Sequence, residues 1–502
     1  MMHHTLEQAA AEVGDRVAIR AGDDSWTFAA LDGLACAGAR HLAELGVRAH
    51  DRVAVMLSNR VAFPVAVHAI SKLGAAAVLI SPAWKATEVA HALELTGANH
   101  AVADSDGSAV LTARLGHASV FDVDDPAVDA ALTGNDRSPL PSPAVGATDE
   151  AVLVFSSGTT GLPKAVRHTH HSIRTATDHW VDALGLTMDD RFQVATPPSH
   201  ILGLLNLLAA TTARATVRLH PRFDLDELLA RIESERMTLE MAVAPIALAM
   251  ANHPELERYD LSSLRYIMWG ATPVTPSVAE EVTRRTGVRW LPAYGASELP
   301  VIAANPVADP GAWRLDSAGL PPAGVELRTV DLKSGHVLPS GEIGEIQARS
   351  ESVMAGYLPD DANADAFVDG WYRTGDVGWL EPDGWVHLTD RSKEMIKVKG
   401  FQVAPAEIEA VLHGHPGVID CAVFGLADEE AGEVPVAAVQ VDPDHPVEPP
   451  ELKTLVADTL ATYKQLRHVV VVDEIPRLPS GKVLRRTLRD EWTPRLAVGE
   501  GS

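Results

Sequence analysis

The sequence predicts an α/β protein with a large N-terminal domain of mostly parallel sheets and a small C-terminal domain of the α+β class. Up to about residue 315, short apolar segments alternate with amphipathic helical segments, which is typical of parallel sheets covered by helices. Beyond that point, short strands between Gly, Pro and Asp turns predict a β-rich, more antiparallel subdomain. After Asp390 a compact unit follows, in which predicted helices and strands both occur. We therefore expect two domains, residues 1–389 and residues 390–502.

The elements of the first part follow from their periodicity. DSWTFAALDGLACAGARHLAELG has apolar residues at intervals of three or four, which predicts a helix opened by a turn. DRVAVMLSN and AAAVLISP are continuously apolar, as strands buried in parallel sheets are. The same alternation predicts strands and helices in RFQVATPP, DLDELLARIESERM, LEMAVAPIALAMANH and RYIMWGATP.

The later elements are shorter. SGEIGEIQAR and DGWVHLTDR predict strands of the β-rich region. In the last unit, PAEIEAVLHGH and ELKTLVADTLATY predict helices, and VIDCAVFGL and VPVAAVQV predict strands. No long linker separates the two domains, so a movement between them would pivot on a few residues.

Composition excludes several classes of function. The 502 residues include 42 basic and 68 acidic side chains, a formal charge of −26. Nucleic acids and anionic membranes are recruited by basic patches, so we expect neither as a partner. The two cysteines, Cys36 and Cys421, exclude a disulfide framework. The start lacks an apolar signal region, and the apolar stretch at 201–210 is too short to cross a membrane, so we expect a cytoplasmic protein without membrane insertion.

Lysine is scarce and unevenly placed. Of ten lysines, five fall in three short segments, at Lys164, at Lys393, Lys397 and Lys399, and at Lys482. Point-charge cations gathered in an acidic chain suit the handling of an anion. Chance clustering on a lysine-poor background is the alternative, and the spacing alone does not decide between them.

The segment AVLVFSSGTTGLPKAVRHTH, residues 151–170, carries the clearest local signal. An apolar strand runs into hydroxyls and glycines and then Lys164, a combination that suits a phosphate chain. It is not a Walker A loop, because that glycine spacing and the Ser or Thr after the lysine are missing. A surface loop without a ligand remains the alternative. HTHH at 168–171 lacks further ligands at metal-site spacing, so we expect these histidines to open the next helix.

Five more segments accompany this loop. In chain order they are PPSH (197–200), YGASE (294–298), YRTGD (372–376), DRSKEMIKVKGFQVAPAEIE (390–409) and PSGKVLRR (479–486). In this order they resemble the adenylate-forming superfamily of acyl-CoA ligases, luciferases and peptide-synthetase adenylation domains. The resemblance covers nearly the whole chain, and VKGFQVAPAEIE is most similar to the coumarate-CoA-ligase and fatty-acyl-CoA-ligase branch.

The resemblance implies a nucleotide site. The residues it assigns to ATP are Ser156, Ser157, Gly158, Thr159, Thr160, Gly161, Lys164, Tyr294, Gly295, Ser297, Asp376 and Arg391. The loop of 156–164 would hold the β- and γ-phosphates, Tyr294 would offer its face to adenine, and Asp376 would accept from the ribose hydroxyls with Arg391 as a donor. Glu298 would ligate Mg²⁺, which favours a carboxylate together with phosphate oxygens.

The implied activity is ATP-dependent conversion of a carboxylic acid to an acyl-adenylate, followed by transfer to CoA. Lys482 would bridge the carboxylate and the α-phosphate in the first step. The small domain would then pivot at Lys393, so that Gly400 and Phe401 line the acceptor channel and Lys397 serves the second step. Three alternatives remain: an amine acceptor, a carrier-protein thiol, and a non-catalytic nucleotide or acyl binder.

An acyl pocket is expected beside His200, although that histidine is alternatively a satisfied core residue. Trp269 either walls the pocket or packs behind it, and the methyl group of Ala293 would narrow it. We expect a bounded apolar pocket for an aromatic or short-to-medium acid, with the lining candidates His200, Trp269, Gly270, Ala271 and Ala293.

Overall fold

A computed structural model describes residues 1–126, 136–156, 163–272, 274–391, 394–398, 401–428, 431–478 and 481–497. Within these residues the α-helices are α1 (His4–Val13), α2 (Phe28–Glu44), α3 (Ala62–Lys72), α4 (Ala86–Thr96), α5 (Ser105–Leu115), α6 (His170–Leu184), α7 (Ile201–Ala213), α8 (Leu225–Glu235), α9 (Ala244–Ala251), α10 (Pro276–Thr286), α11 (Pro405–His413), α12 (Pro449–Thr459) and α13 (Arg485–Ala497).

The strands of the N-terminal region are β1 (Val17–Ala21), β2 (Asp24–Thr27), β3 (Arg52–Met56), β4 (Ala76–Leu79), β5 (His100–Ala103), β6 (Val120–Asp122), β7 (Glu150–Ser156), β8 (Lys164–Thr169), β9 (Arg191–Val194), β10 (Thr216–Leu219), β11 (Leu239–Ala242), β12 (Tyr266–Trp269), β13 (Trp290–Tyr294) and β14 (Ala303–Ala304). They continue as β15 (Glu326–Val330), β16 (Gly344–Arg349), β17 (Gly356–Leu358), β18 (Phe367–Val368), β19 (Trp371–Leu380), β20 (Val386–Arg391), β21 (Ile396–Val398), β22 (Phe401–Val403), β23 (Val418–Asp428), β24 (Gly432–Val441) and β25 (His468–Val471).

The largest sheet has seven strands in the order β17-β8-β7-β4-β3-β5-β6. The five strands from β7 to β6 pair in parallel, whereas β8 and β17 are antiparallel additions at one edge. Val53 and Val55 of β3 belong to one apolar cluster, and Ala54 and Met56 belong to another. Both faces of the strand are therefore covered, which explains its uninterrupted apolar sequence.

Two four-stranded sheets complete the α/β part, in the orders β2-β1-β10-β9 and β11-β12-β13-β14. Each is parallel apart from one antiparallel edge pair. The structure differs locally from the expected helix at 24–46, because Asp24–Thr27 pairs with β1 as a strand. Thr27 ends that strand and caps α2 by accepting from the N–H of Ala30 at 3.2 Å.

The β-rich region and the C-terminal unit have the predicted character. β15, β16, β18, β19 and β20 form an antiparallel sheet. The C-terminal sheet runs β22-β21-β24-β23, with β25 parallel to β24, and helices pack against it. The predicted fold class, a large N-terminal domain with a small α+β domain, is confirmed.

The division at 389/390 stays a prediction, and the structure adds a detail to it. β20 runs to Arg391, and the backbone of Arg391 pairs with Asp376 of β19. The last residues before the C-terminal sheet thus belong to the antiparallel sheet. Lys393, the expected pivot, lies outside the described residues. Among the described helices, none combines the length and apolar character that a membrane crossing requires.

Candidate active site

One cavity of about 590 Å³ lies between the large domain and the turn that carries Lys482. It brings together residues from all six motif segments, including Glu394 of the segment 390–409. The predicted site residues that line it are Ser156, Lys164, His200, Gly270, Ala271, Ala293, Tyr294, Gly295, Ser297, Glu298 and Lys482. Strand ends supply most of them, as is usual for ligand sites in open α/β sheets.

The two ends of the Gly-rich loop meet at the cavity wall. Ser156 ends β7, Lys164 begins β8, and the two residues pair across the antiparallel strands. The Lys164 ammonium lies 5.1 Å from the centre of the Tyr357 ring, a cation–π contact. Ser157, Gly158, Thr159, Thr160 and Gly161, which we expect at the phosphates, lie outside the described residues.

The residues of the HTHH segment lie at the junction between β8 and α6. His170 begins α6, and Thr169 caps this helix by accepting from the N–H of Ser172 at 3.0 Å. His168 donates from Nε2 to the carbonyl oxygen of Ser297 at 2.8 Å. Burial lowers the pKa of His168 to about 4, so the ring is a neutral donor at pH 7. His170 and His171 thus open the helix, as predicted, whereas His168 still belongs to β8 and joins this strand to the segment of Glu298.

Glu298 is held by a chain of two tyrosines. The Tyr357 hydroxyl donates to Oε1 of Glu298 at 2.7 Å. Tyr372 is hydrogen-bonded to Tyr357 and, since the single proton of Tyr357 goes to Glu298, Tyr372 is the donor. Burial, followed by the charge of Glu298, raises the pKa of Tyr372 well above its ordinary value. Glu298 is 9% exposed and accepts on one oxygen, so it presents a fixed carboxylate to the cavity.

A second carboxylate lies behind the cavity wall. The Tyr294 hydroxyl donates to Oδ2 of Asp376 at 2.5 Å, and the N–H of Asp376 donates to Thr374 Oγ1 at 3.0 Å. Thr374 and Gly375 line the cavity, whereas Asp376 is 7% exposed and lies just outside the lining. The backbone of Arg391 is its neighbour on β20.

The turn after Tyr294 requires glycine. A Cβ on Gly295 would collide with the carbonyl oxygen of Pro300. The chain therefore folds back tightly here, and this fold places Ser297 and Glu298 at the cavity.

His200 is the N-cap residue of α7, without a side-chain capping hydrogen bond, and it lines the cavity. Burial lowers the pKa of the ring, which is therefore neutral at pH 7. Of the two alternatives for this residue, the structure places it at the cavity rather than in the closed core.

Trp269 corrects the expected pocket lining. Its ring packs at 5.1 Å from that of Trp290, and its indole N–H donates to Thr272 Oγ1 at 3.2 Å, outside the lining. Met268, the preceding residue of β12, lines the cavity instead. Successive strand residues face opposite sides, so only one of the two can do so. Trp269 packs behind the pocket.

Sequence reasoning missed several lining residues, namely Trp180, Ile201, Leu202, Leu205, Met268, Tyr357 and Tyr372. Side chains alternate along the strand YIMW, so this pattern could have indicated that Met268 faces the cavity if Trp269 does not. The helical periodicity that starts at His200 could have indicated Ile201, Leu202 and Leu205 of α7. Trp180 lies on a different helix and carried no signal in its own segment.

Lys482 reaches the cavity from a turn docked on the large domain. Its ammonium lies 3.6 Å from Glu394, which also lines the cavity. The Arg477 guanidinium holds the turn by donating to the carbonyl oxygen of Gly481 at 2.8 Å. Gly481 has a φ of +83°, and a Cβ there would stand 2.8 Å from Pro245 of the large domain.

The residues expected to serve the second step lie elsewhere. Lys397 is exposed, and its backbone N–H donates to Glu433 at 2.7 Å. Phe401 is 53% exposed and stacks on Tyr463 with ring centres 4.4 Å apart. Gly400 lies outside the described residues. In this arrangement Lys482 faces the cavity while Lys397 and Phe401 face outward, which fits domain alternation.

Comparison with known proteins decides the family. The family model described as AMP-binding enzyme matches residues 6–358, and the model of the AMP-binding enzyme C-terminal domain matches residues 407–482. The chain belongs to the AMP-binding enzyme family. The resemblance inferred from the motifs is thereby confirmed.

Individual relatives of this AMP-binding enzyme are CoA ligases. It is 35% identical to 4-coumarate–CoA ligase-like 9 of Oryza sativa subsp. japonica, over 96% of this chain and 91% of that one. Its structure resembles ATP-bound MatB of Rhodopseudomonas palustris, with a TM-score of 0.91 at 27% identity over 98% and 99% of the chains. The o-succinylbenzoate CoA synthetase of Bacillus subtilis, with ATP and a magnesium ion, matches with a TM-score of 0.84 at 31% identity over 97% and 99%.

Proposed function

We propose that this protein is an AMP-forming carboxylic acid–CoA ligase, which activates a small acid with ATP and passes the acyl group to the CoA thiol. The observation that carries the proposal is the convergence of Lys164, Glu298 and Lys482 on one cavity. A metal-binding carboxylate and two cations at the same cavity suit a reaction between anions, where catalysis is mostly positioning and charge neutralisation.

In the first step, a carboxylate oxygen of the acid attacks the α-phosphorus of ATP, and the bond to pyrophosphate breaks. Lys482 stabilises the negative charge that develops between the carboxylate and the α-phosphate, while Lys164 holds the departing phosphates. Tyr294 and Asp376 position the nucleoside. His200 is neutral, and so it lies beside the acid as a hydrogen-bonding group rather than as a competing charge.

Glu298 fits the Mg²⁺ that accompanies ATP. One of its oxygens is engaged by Tyr357, which fixes the carboxylate, and oxygen is the donor type that Mg²⁺ prefers. When bound, the ion would neutralise charge on the phosphates.

In the second step, a thiol attacks the acyl carbon, and AMP leaves with the bonding electrons. The small domain must turn for this, because one site cannot hold the geometries of pyrophosphate release and thiol attack at once. Lys393 is the proposed pivot, and Gly400, Phe401 and Lys397 are the proposed acceptor-side residues. The named relatives favour CoA over an amine or a carrier-protein thiol as acceptor.

The test is acid-dependent exchange of labelled pyrophosphate into ATP over a panel of aromatic and linear acids. We expect exchange with at least one small acid, and its complete absence would overturn the proposal. CoA, simple amines and a carrier protein are then offered to the same adenylate. Thioester formation with CoA supports the proposed acceptor, whereas amide formation or transfer only to the carrier would overturn that part.

A further inference from the structure

Part of the cavity wall consists of buried side chains. Trp180, Leu205 and Met268 line the cavity although none is more than 3% exposed. His200 and Leu202, by contrast, are only partly buried. In the proposed binding mode, an acid that enters past His200 would point its tail toward Trp180.

The side chains that α6, α7 and β12 contribute to the lining are uncharged, namely Trp180, Ile201, Leu202, Leu205 and Met268. A second carboxylate at the tail of the acid would be buried there without a partner, and the free-energy cost of this is large. The cavity also has to accommodate a nucleotide, and its volume is within the range of about 300–1,000 Å³ that one ligand commonly fills. The nucleotide and the acid would have to share that volume, which favours a compact acid.

Trp180 also touches a polar group that lies outside the lining. Its indole N–H donates to Oδ1 of Asn206 at 2.8 Å. Asn206 is fully buried on α7, and its Nδ2 has no hydrogen-bond partner among the described residues. Such an unpaired buried donor is unusual in a folded protein and costs free energy.

We propose that Trp180 is the specificity-determining floor of the acyl pocket, that it limits the substrate to short or compact acids with a single carboxylate, and that it separates the tail from the unpaired amide of Asn206. This inference rests on the proposed function and specifies its substrate class. Shortening Trp180 would deepen the pocket and expose the amide hydrogens of Asn206 to the tail of a longer acid.

The experiment measures pyrophosphate exchange with linear acids from butanoate to dodecanoate, with their ω-hydroxy analogues, and with the matched dicarboxylates. Wild type should lose activity sharply beyond a short chain and should reject the dicarboxylates. Trp180→Ala should accept chains several carbons longer, with a gain of roughly 10-fold or more for each methylene that the floor excluded. It should also prefer ω-hydroxy tails, and this preference should vanish in Trp180→Ala/Asn206→Leu.

The control is Trp313→Ala. Trp313 also has a hydrogen-bonded indole, donating to Pro306 at 2.7 Å, but it does not line the cavity. This variant should keep the wild-type chain-length profile. A folded Trp180→Ala enzyme with the wild-type profile would overturn the inference, as would a Trp313→Ala enzyme with the same lengthened profile.

Two measurements remain decisive if Trp180→Ala does not fold. Trp180→Leu keeps an apolar side chain of smaller volume and should give a smaller shift in the same direction. In the wild-type enzyme, a long acid should not inhibit pyrophosphate exchange with a short acid. Strong inhibition would contradict the proposed role of Trp180. If no acid supports exchange at all, the proposed function is wrong. If long and short acids work equally well, the proposed function stands and only the role of Trp180 is wrong.

Discussion

At the residue scale, the position of Glu298 depends on a hydroxyl that no motif contributed. Tyr357 lies in the short strand β17 and donates to Glu298, while Lys164 lies over its ring. One side chain thus contacts both a proposed metal ligand and a proposed phosphate ligand. The two contacts of Tyr357 can be separated experimentally, because a substitution by phenylalanine removes the hydroxyl and keeps the ring.

We predict that Tyr357→Phe weakens the use of Mg²⁺. A hydrogen bond to a charged group contributes about 1.5–3 kcal/mol, so the Mg²⁺ concentration for half-maximal exchange should rise by roughly 10-fold or more. The measurement is pyrophosphate exchange against Mg²⁺ concentration at saturating ATP, together with calorimetric binding of Mg·ATP. Tyr259→Phe is the control, since Tyr259 donates to Asp226 at 2.6 Å on the surface. An unchanged Mg²⁺ requirement in Tyr357→Phe would contradict the role.

At the element scale, a buried polar chain joins two of the sheets. Gln193 of β9 donates from Nε2 to Glu240 of β11 at 2.9 Å, and its Oε1 lies 2.6 Å from Nε2 of His220. Burial raises the pKa of Glu240 to about 8. The carboxyl group is therefore protonated in the folded protein at pH 7 and ionised in the unfolded chain.

We predict that this group makes stability fall as the pH rises. Its folded pKa lies above its unfolded value of 4.5, so the stabilisation is complete below pH 4.5 and is lost by pH 8. The slope in between is up to about 1.4 kcal/mol per pH unit. Glu240→Gln should reduce the difference in melting temperature between pH 6 and pH 8. Glu342→Gln, at an exposed carboxylate, should keep the wild-type difference; an equal reduction in both would argue against Glu240.

The turn of Lys482 is another element with a clear anchor. Arg477 binds the carbonyl oxygen of Gly481 and also forms a forked ion pair with Asp420 at 2.8 Å. Lysine keeps the charge but not the fork, so Arg477→Lys should lower the adenylation kcat about 10-fold with little change in the KM for ATP. Single-turnover adenylation measures this, and Arg486→Lys on the exposed face of α13 is the control. Thioester formation from a synthetic acyl-adenylate should be spared, and its equal loss would contradict a positioning role.

At the scale of the whole molecule, the proposed mechanism uses two different parts of the C-terminal unit for the two half-reactions. We predict that Lys482→Ala abolishes adenylation but still converts a synthetic acyl-adenylate to the thioester, and that Lys397→Ala does the reverse. The reason is that Lys482 faces the cavity here, whereas Lys397 is exposed and does not line it. Rapid-quench assays of the two half-reactions measure both, with Lys333→Ala as control. Equal losses in both half-reactions would exclude this division of labour.

Much of the molecule could be predicted from sequence because periodicity and motif order are local properties. The continuous apolar runs predicted β3 and β4, and the turn-rich texture predicted the antiparallel sheet. The side of β12 that faces the cavity depends on tertiary packing, so the sequence left open whether Trp269 walls the pocket or packs behind it, and its listing among the lining candidates was wrong. Trp180 and Tyr357 reach the cavity from segments without a motif, and only the packing of α6 and β17 brings them there.

The burial of both thiols has a practical consequence. Cys36 and Cys421 are buried, and burial raises the pKa of each. A chromogenic thiol reagent added to the folded enzyme would therefore react with the free thiol of CoA and not with the protein. Samples withdrawn during the reaction would therefore report how much of the acceptor remains, without a coupling enzyme. The same reagent would react with Cys36 and Cys421 once the chain unfolds. The number of reactive protein thiols, measured without CoA, would therefore report whether a variant is folded.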